Sequence, residues 1–313
     1  MNRRDFTKSV VIGASAIVLR PFGGFAKNQS PQLSITMDDF YWRANAVRLN
    51  GEQRNQAILR TLSAQSLHAA LFVIGGNIES EAGKSLLRQW NDAGHMIGNH
   101  SYSHQNYAAP TMTPAAFGAD ILRAERLLKD FPRFRKYFRF PMLKEGETAA
   151  KRDAMRSFLK QNGYRTGHVT VDSADWVIDP RLTKRLTEDP GADIARYRDF
   201  YLEHIWDRAQ YYDALAKRTV GRSVKHTLLT HFNLLNALFL GDLIDMFKSK
   251  GWQLIDAEEA FTDPIFAAQP KVLPAGESIV WSLAKESGKI DKNLRYPAED
   301  GEYEMARMDK LGL

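Results

Sequence analysis

Two imidazoles four residues apart, in Asn99-His100-Ser101-Tyr102-Ser103-His104, and two adjacent carboxylates, in Thr36-Met37-Asp38-Asp39-Phe40, are the side chains best suited to hold a divalent cation. One turn of helix or a tight helical loop sets residues i and i+4 on one face, about one pitch apart. His100 and His104 could then offer two nitrogen donors to a single ion. A catalytic zinc takes three protein ligands and keeps a fourth position for water. A carboxylate from the aspartate pair, which ends an apolar run that reads as a strand, is the natural third ligand. The chain has no cysteine, which removes disulfides, thiolate nucleophiles and Cys-ligated zinc together. Any metal centre must be built from His and carboxylates.

Three further groups follow in order: Arg139-Phe140-Pro141-Met142, Asp172-Ser173-Ala174-Asp175-Trp176 and Leu229-Thr230-His231. Singly each is weak, since a lone histidine closing an apolar strand is as readily a satisfied core residue. As an ordered set, the five resemble the polysaccharide deacetylase family, the NodB-homology carbohydrate esterases, whose motifs read TFDD, HSxxH or HTxxH, RxPY, DxxDW and LxH. The resemblance runs from about Leu33 to Phe266. It implies an α/β fold, an incomplete or distorted (β/α)7-type barrel of parallel strands, and a metal-dependent removal of N-acetyl or O-acetyl groups from a glycan. It also implies Asp39, His100 and His104 as metal ligands, Asp38 as general base and His231 as general acid to the leaving nitrogen. Arg139 would hold Asp38 through a charge-assisted bond. Asp175 is the expected partner of His231, because a carboxylate on the far ring nitrogen favours the imidazolium; Asp172 is the alternative, and spacing cannot choose between them. Trp176 and Leu229 would wall the acetyl pocket, and the Met142 backbone N–H would serve as an oxyanion donor. Zinc is the first choice of metal, although cobalt, nickel or iron could use the same donors.

The sequence departs from the family pattern at three places. Phe40 stands where a glycine usually follows the aspartates, so a bulky side chain is expected beside the metal, narrowing the cleft or shifting substrate preference. Met142 replaces the tyrosine after the third-motif proline, and Leu143 replaces the next glycine.

The elements that must position these residues alternate. Apolar runs at Leu33–Thr36, Ala69–Ile74, His95–Asn99, Tyr137–Phe140, Tyr164–Val171, His226–Thr230 and Trp252–Ile255 read as strands. Helical spacing predicts helices at 52–66, around Leu86–Trp90, at Pro114–Lys129, 147–161, 194–217 and Leu234–Lys250, with a polar loop carrying Pro180 and Pro190 before the long one. Such alternation implies a parallel sheet. The suspected functional residues fall at strand C-termini, the face on which barrels build active sites. Gly75-Gly76 lacks the spacing of a dinucleotide turn.

A net charge of +6 with no basic stripe argues against a nucleic-acid partner, and 44% apolar residues argue for a large core. Residues 1–26 read as a twin-arginine leader: Arg3-Arg4, Phe6 and Lys8, a short apolar stretch from Val10 to Leu19, and a small-residue end near Ala26. Its removal would leave no stable membrane span and an exported, periplasmic or secreted protein. Residues 27–266 form the expected catalytic domain, and 267–313 a C-terminal extension that could pack on the barrel or hang free. An acetylated oligo- or polysaccharide is the expected partner; oligomeric state cannot be read. The alternatives are a small cyclic amide or ureide hydrolase on the same fold, or a non-catalytic glycan binder. The rings of Tyr197, Tyr201, Trp206, Tyr211 and Tyr212 would discriminate: along an open groove they favour sugar stacking, around a deep small pocket they favour a small amide, and in the core they favour neither.

Overall fold

The computed structural model describes residues 30–44, 46–288, 294 and 301–313. The leader read at 1–26 lies outside the described residues. The strands in chain order are β1 (Gln32–Asp39), β2 (Ala70–Val73), β3 (Met96–Asn99), β4 (Phe134–Phe138), β5 (Lys144–Gly146), β6 (Arg165–Thr166), β7 (Lys225–His231), β8 (Gln253–Leu254) and β9 (Ala275–Gly276). Seven of them form one parallel sheet in the order β6-β4-β3-β2-β1-β7, with β8 beside the start of β1. β5 and β9 make a separate antiparallel pair. The helices are α1 (Gly51–Ala64), α2 (Glu81–Asp92), α3 (Pro114–Leu128), α4 (Ala149–Gln161), α5 (Asp175–Glu188), α6 (Ala195–Val220), α7 (Leu234–Ser249), α8 (Ala257–Ala260), α9 (Ile279–Ser287) and α10 (Glu302–Leu311).

Register brings the chemistry to one end. β1 lies along β7 with Asp38 opposite His231, and along β2 with Asp39 opposite Val73. β1 is buried from Leu33 to Asp39, as a central parallel strand covered on both faces must be.

Closure is uneven. Of the strand expected over Tyr164–Val171, only Arg165 and Thr166 pair, with β4. The chain then crosses to the other edge of the sheet, where the Val171 N–H donates to the Thr227 carbonyl at 3.0 Å and the Leu229 N–H donates to the Val171 carbonyl at 3.0 Å. The stretch divides its hydrogen bonds between two edges, so no continuous ladder forms. The sheet curls into a distorted half-barrel rather than a regular ring. β4 runs Phe134–Phe138, earlier than expected, and Pro141, which has no N–H, opens the turn that follows it.

The polar loop expected before the long helix is in fact α5, which contains Pro180. Ile178, Leu182 and Leu186 recur every four residues and are all buried, so packing of that stripe outweighs one lost backbone bond. The C-terminal stretch packs on the barrel: β9 pairs β5, α9 lies on α6, and α10 on α5. Among the described residues, no helix is long and apolar enough to cross a membrane.

Candidate metal and acid–base site

β1 delivers Asp38 and Asp39 at its C-terminal end, and the chain then reverses sharply, with Asp39 at φ 79° and Phe40 at φ 59°. Aspartate tolerates the left-handed region, whereas for a bulky residue it is strained. The turn is held because the Asn77 side-chain amide donates to the Asp39 carbonyl at 3.0 Å. Phe40 corrects an expectation. Its ring is fully buried and meets Phe232 edge-on at 5.0 Å, so it fills the core and does not narrow the cleft. Reversal of the backbone turns residue 40 inward and gives its neighbour Tyr41 to the cleft wall.

His100 leaves β3 directly. Its Nδ1–H donates to the Arg139 carbonyl at 2.9 Å, which leaves Nε2 as a lone pair facing the aspartates. The segment to His104 is neither a helical turn nor a helical loop, since Ser101 at φ 64° and His104 at φ 54° are left-handed. Its N–H groups are satisfied by side chains instead. The Ser101 N–H donates to Asn99 at 2.9 Å, those of Tyr102 and Ser103 to Asp120 at 2.9 and 3.0 Å, and that of His104 to the Ser101 hydroxyl at 2.9 Å. Even so, the rings come together, with centroids 5.0 Å apart.

Asp39 Oδ1 lies 3.1 Å from His104 Nε2 and 3.4 Å from His100 Nε2. One ligand atom from each of the three residues falls within 4.8 Å of the others, the only such group of three among the described residues. Asp39 Oδ1 is buried and has no settled hydrogen-bond partner among those residues. A buried carboxylate oxygen facing two ring nitrogens calls for a proton or a cation. Two imidazoles and a carboxylate with no sulfur fit a borderline divalent ion, and the donor set can hold one. Burial pushes the Asp39 carboxyl up, but His100, His104 and His231 outweigh it and hold the group far below the usual carboxylate range.

Beside this corner, Arg139 is buried and donates from Nη1 to Asp38 Oδ1 at 2.6 Å and to the Thr36 hydroxyl at 2.9 Å, and from Nε to the Gly167 carbonyl at 2.8 Å. Asp38 Oδ2 is left 3.7 Å from His100 Nε2. On the β7 side, His231 Nδ1 and Asp175 Oδ1 are 2.6 Å apart, and Asp175 Oδ2 accepts from the His231 N–H at 2.8 Å, from Asn236 at 2.7 Å and from Asn233 at 3.1 Å. Burial alone would lower the His231 pKa; Asp175, aided by Asp39 and Asp38, raises it from 6.5 to about 10.

The structure therefore joins Asp175, not Asp172, to His231. Asp172 is fully buried, and neither carboxylate oxygen has a hydrogen-bond partner among the described residues. Burial first, then nearby Glu277, pushes it up to about 8.

Asp38, Asp39, His100, His104 and His231 open into one cleft of about 720 Å³. Trp176 and Met142, 41% and 45% exposed, stand at its rim, and Leu229 is buried in its wall. Met142 and Leu143 both have positive φ, 52° and 53°, so the loop keeps a glycine-like path without a glycine. None of the rings of Tyr197, Tyr201, Trp206, Tyr211 and Tyr212 on the long helix lines the cleft. Tyr197, Tyr201 and Tyr212 are buried and Trp206 and Tyr211 pack on the core, so they favour neither substrate class.

Sequence reasoning missed several supports. Asn233 caps α7 and Asn236 sits three residues on, a capping pattern that could have been read. Asp120, half-buried on α3, gave no signal. Tyr41, whose ring meets His104 at 6.3 Å, also went unnoticed.

A curled parallel α/β sheet carries at its C-terminal end two histidines and a carboxylate that could hold one divalent metal. Residues 26–167 match the family model "Polysaccharide deacetylase". The fold is similar to a chitin deacetylase of the fungus Colletotrichum lindemuthianum, with TM-score 0.51 and 20% identity over 74% of this chain and 88% of that one. It is also similar to a mutant of a Bacillus anthracis family 4 carbohydrate esterase pseudoenzyme with restored activity, with TM-score 0.51 and 17% identity over 75% of this chain and 68% of that one. No curated protein matches the chain. Residues 26–167 thus carry the sequence pattern of the polysaccharide deacetylase family, and the likeness of the chain to these structures is one of fold.

Proposed function

We propose that this protein hydrolyses acetyl groups from a glycan, N-acetyl first and O-acetyl as a second option, using one divalent cation held by Asp39, His100 and His104. The observation that carries the reading is the meeting, in one cleft, of that donor triad with an Arg139-anchored carboxylate and a charged imidazole. When bound, the cation supplies Lewis acidity for the acyl carbonyl and for water. Zinc suits the donors best.

Each residue has a separate task. Asp38, fixed at Oδ1 by Arg139, accepts the proton of the attacking water at Oδ2. His231, held protonated by Asp175, gives its Nε2 proton to the departing nitrogen or oxygen. The Met142 N–H is the proposed donor to the carbonyl oxygen as charge develops there. Trp176 and Leu229 flank the acetyl methyl. An open cleft rimmed by Trp176, Met142 and Tyr41 favours an extended sugar chain over a small enclosed amide. A purely binding role is disfavoured because every ionisable member of the set is present. The paired arginines near the N-terminus support export to the periplasm or medium, with cleavage near Ala26; an intact N-terminus on exported protein would refute this.

The deciding experiment strips the protein with a chelator, restores one equivalent of zinc, and measures acetate released from N- and O-acetylated oligosaccharides. Release that returns with the metal supports the reading. Full metal loading with no release from any glycan would overturn it and leave a binding protein.

A further inference from the structure

We propose that α10, in a reading that rests on the hydrolase function above, is a positioning element for the His231–Asp175 pair: Glu304 fixes His204, and His204 pins the backbone just before Asp175. These contacts lie beyond the 26–167 span that the family model matches.

The chain of contacts is short. α5 begins at Asp175, and its N-cap, Ala174, is capped by no side chain. The Ala174 N–H donates instead to His204 Nε2 at 2.9 Å, and both residues are buried. An accepting Nε2 requires the proton of the neutral ring to sit on Nδ1. That atom faces Glu304 Oε1 of α10 at 3.4 Å. Glu304 also pairs with Arg208, and all three side chains are almost completely buried. Burial raises the Glu304 carboxyl, but His204 and Arg208 outweigh it and bring it to about 2, so it stays ionised. Burial holds His204 below its ordinary range. A neutral ring is what the Ala174 N–H needs, since an imidazolium would set donor against donor.

A second contact reaches the same wall. Gly301, which leads into α10 at φ 66°, is so close to α5 that a Cβ there would come within 2.5 Å of Val177 and 3.5 Å of the Trp176 indole. Arg181 of α5 clasps the far end of α10, donating to Asp309 at 2.7 Å and to the Leu313 carbonyl at 2.8 Å. A buried ion cluster stabilises no better than apolar side chains of the same volume, so stability alone does not explain charges at this place. Their geometry does, because an error of about 1 Å at a catalytic group costs about a hundredfold in rate.

The test compares His204→Leu, which removes the acceptor, with His204→Gln, whose carbonyl can reach the Ala174 N–H, and with Glu304→Ala, which leaves His204 in place. All are measured as zinc-loaded full-length protein. We expect His204→Leu and Glu304→Ala to lower kcat for acetate release about ten- to a hundredfold with KM nearly unchanged, and His204→Gln to restore most of it. Two readouts need no substrate: amide exchange at Ala174 should accelerate, and the downfield His231 Nδ1 proton resonance should broaden or move, in His204→Leu but not in His204→Gln. If these resonances stay as in the unsubstituted protein, the positioning role is wrong whatever the activity. If they change as expected while no glycan is ever deacetylated, the hydrolase reading fails and the positioning contact stands. Should His204→Leu not fold, Glu304→Ala carries the same two readouts.

Discussion

The two corners of the cleft are built on opposite principles. At the acid corner every oxygen of Asp175 is engaged, by the His231 ring and N–H, Asn233 and Asn236, so the pair is complete within the protein. At the metal corner the loop backbone is fully tied down, through Asp120, Asn99 and Asn77, yet the functional atoms are left facing one another with a buried oxygen unsettled. The first corner needs only folding; the second needs a cation to balance it. Around the cleft, left-handed residues fall at Asp39, Phe40, Ser101 and His104 of the metal corner and at Met142 and Leu143 of the neighbouring loop, and at none of Asp175, His231, Asn233 and Asn236. Strain is stored where several donors must converge on a point.

That contrast can be broken experimentally. The largest effect should come from the incomplete corner: Asp39→Ala, His100→Ala or His104→Ala should abolish bound metal in elemental analysis and acetate release with it. Asp38→Asn should keep the metal and lose about 10²- to 10⁴-fold in rate, as for removal of a general base. An empty site in Asp38→Asn would mean the two aspartates have exchanged roles. At the complete corner, Asp175→Asn should act through pH. Asp175 raises the His231 pKa, so its acid form should persist above neutrality and activity should fall only on the alkaline side. Removing the Asp175 charge should pull the alkaline limb of the rate profile down towards neutral pH; an unmoved limb would mean another group is the acid. The same raised pKa stabilises the fold fully below about 6.5, and the benefit is lost as pH rises through about 10.

Smaller effects concern stability alone. Saturating zinc should raise the melting temperature, by about 2.7 kcal/mol of stabilisation at a hundredfold excess over Kd, and a chelator should reverse it. Phe40→Gly tests the strained turn. Glycine would relieve about 1–2 kcal/mol of left-handed strain, but losing a buried Phe costs about 3–5 kcal/mol. The variant should therefore be destabilised by a net ~1–4 kcal/mol in denaturant melts, with metal content unchanged.

Much of this arrangement was legible in the chain. Alternating apolar runs gave the parallel α/β order because buried parallel strands and amphipathic helices have distinct periods. Strand ends located Asp38, Asp39, His100, Arg139 and His231, since each follows directly on an apolar run. Other features were not legible. Pro180 suggested a loop because a local rule weighs one missing N–H and cannot see the buried stripe of Ile178, Leu182 and Leu186. The His100–His104 spacing suggested a helical turn, whereas Asp120, from a distant helix, supplies bonds that let the chain turn left-handed. Phe40 looked like a wall of the cleft because sequence order says nothing of side-chain direction after a reversal.

By itself, then, the sequence determined which groups could bind a cation or move a proton, and that a parallel sheet would carry them to one end, because residue type and periodicity are local properties. Only the tertiary structure decided between Asp175 and Asp172, turned Phe40 inward, sent the aromatic helix into the core and laid α10 behind the acid corner. Those outcomes depend on distances between residues remote in the chain, where burial and hydrogen-bond saturation choose among partners that look equivalent in order alone.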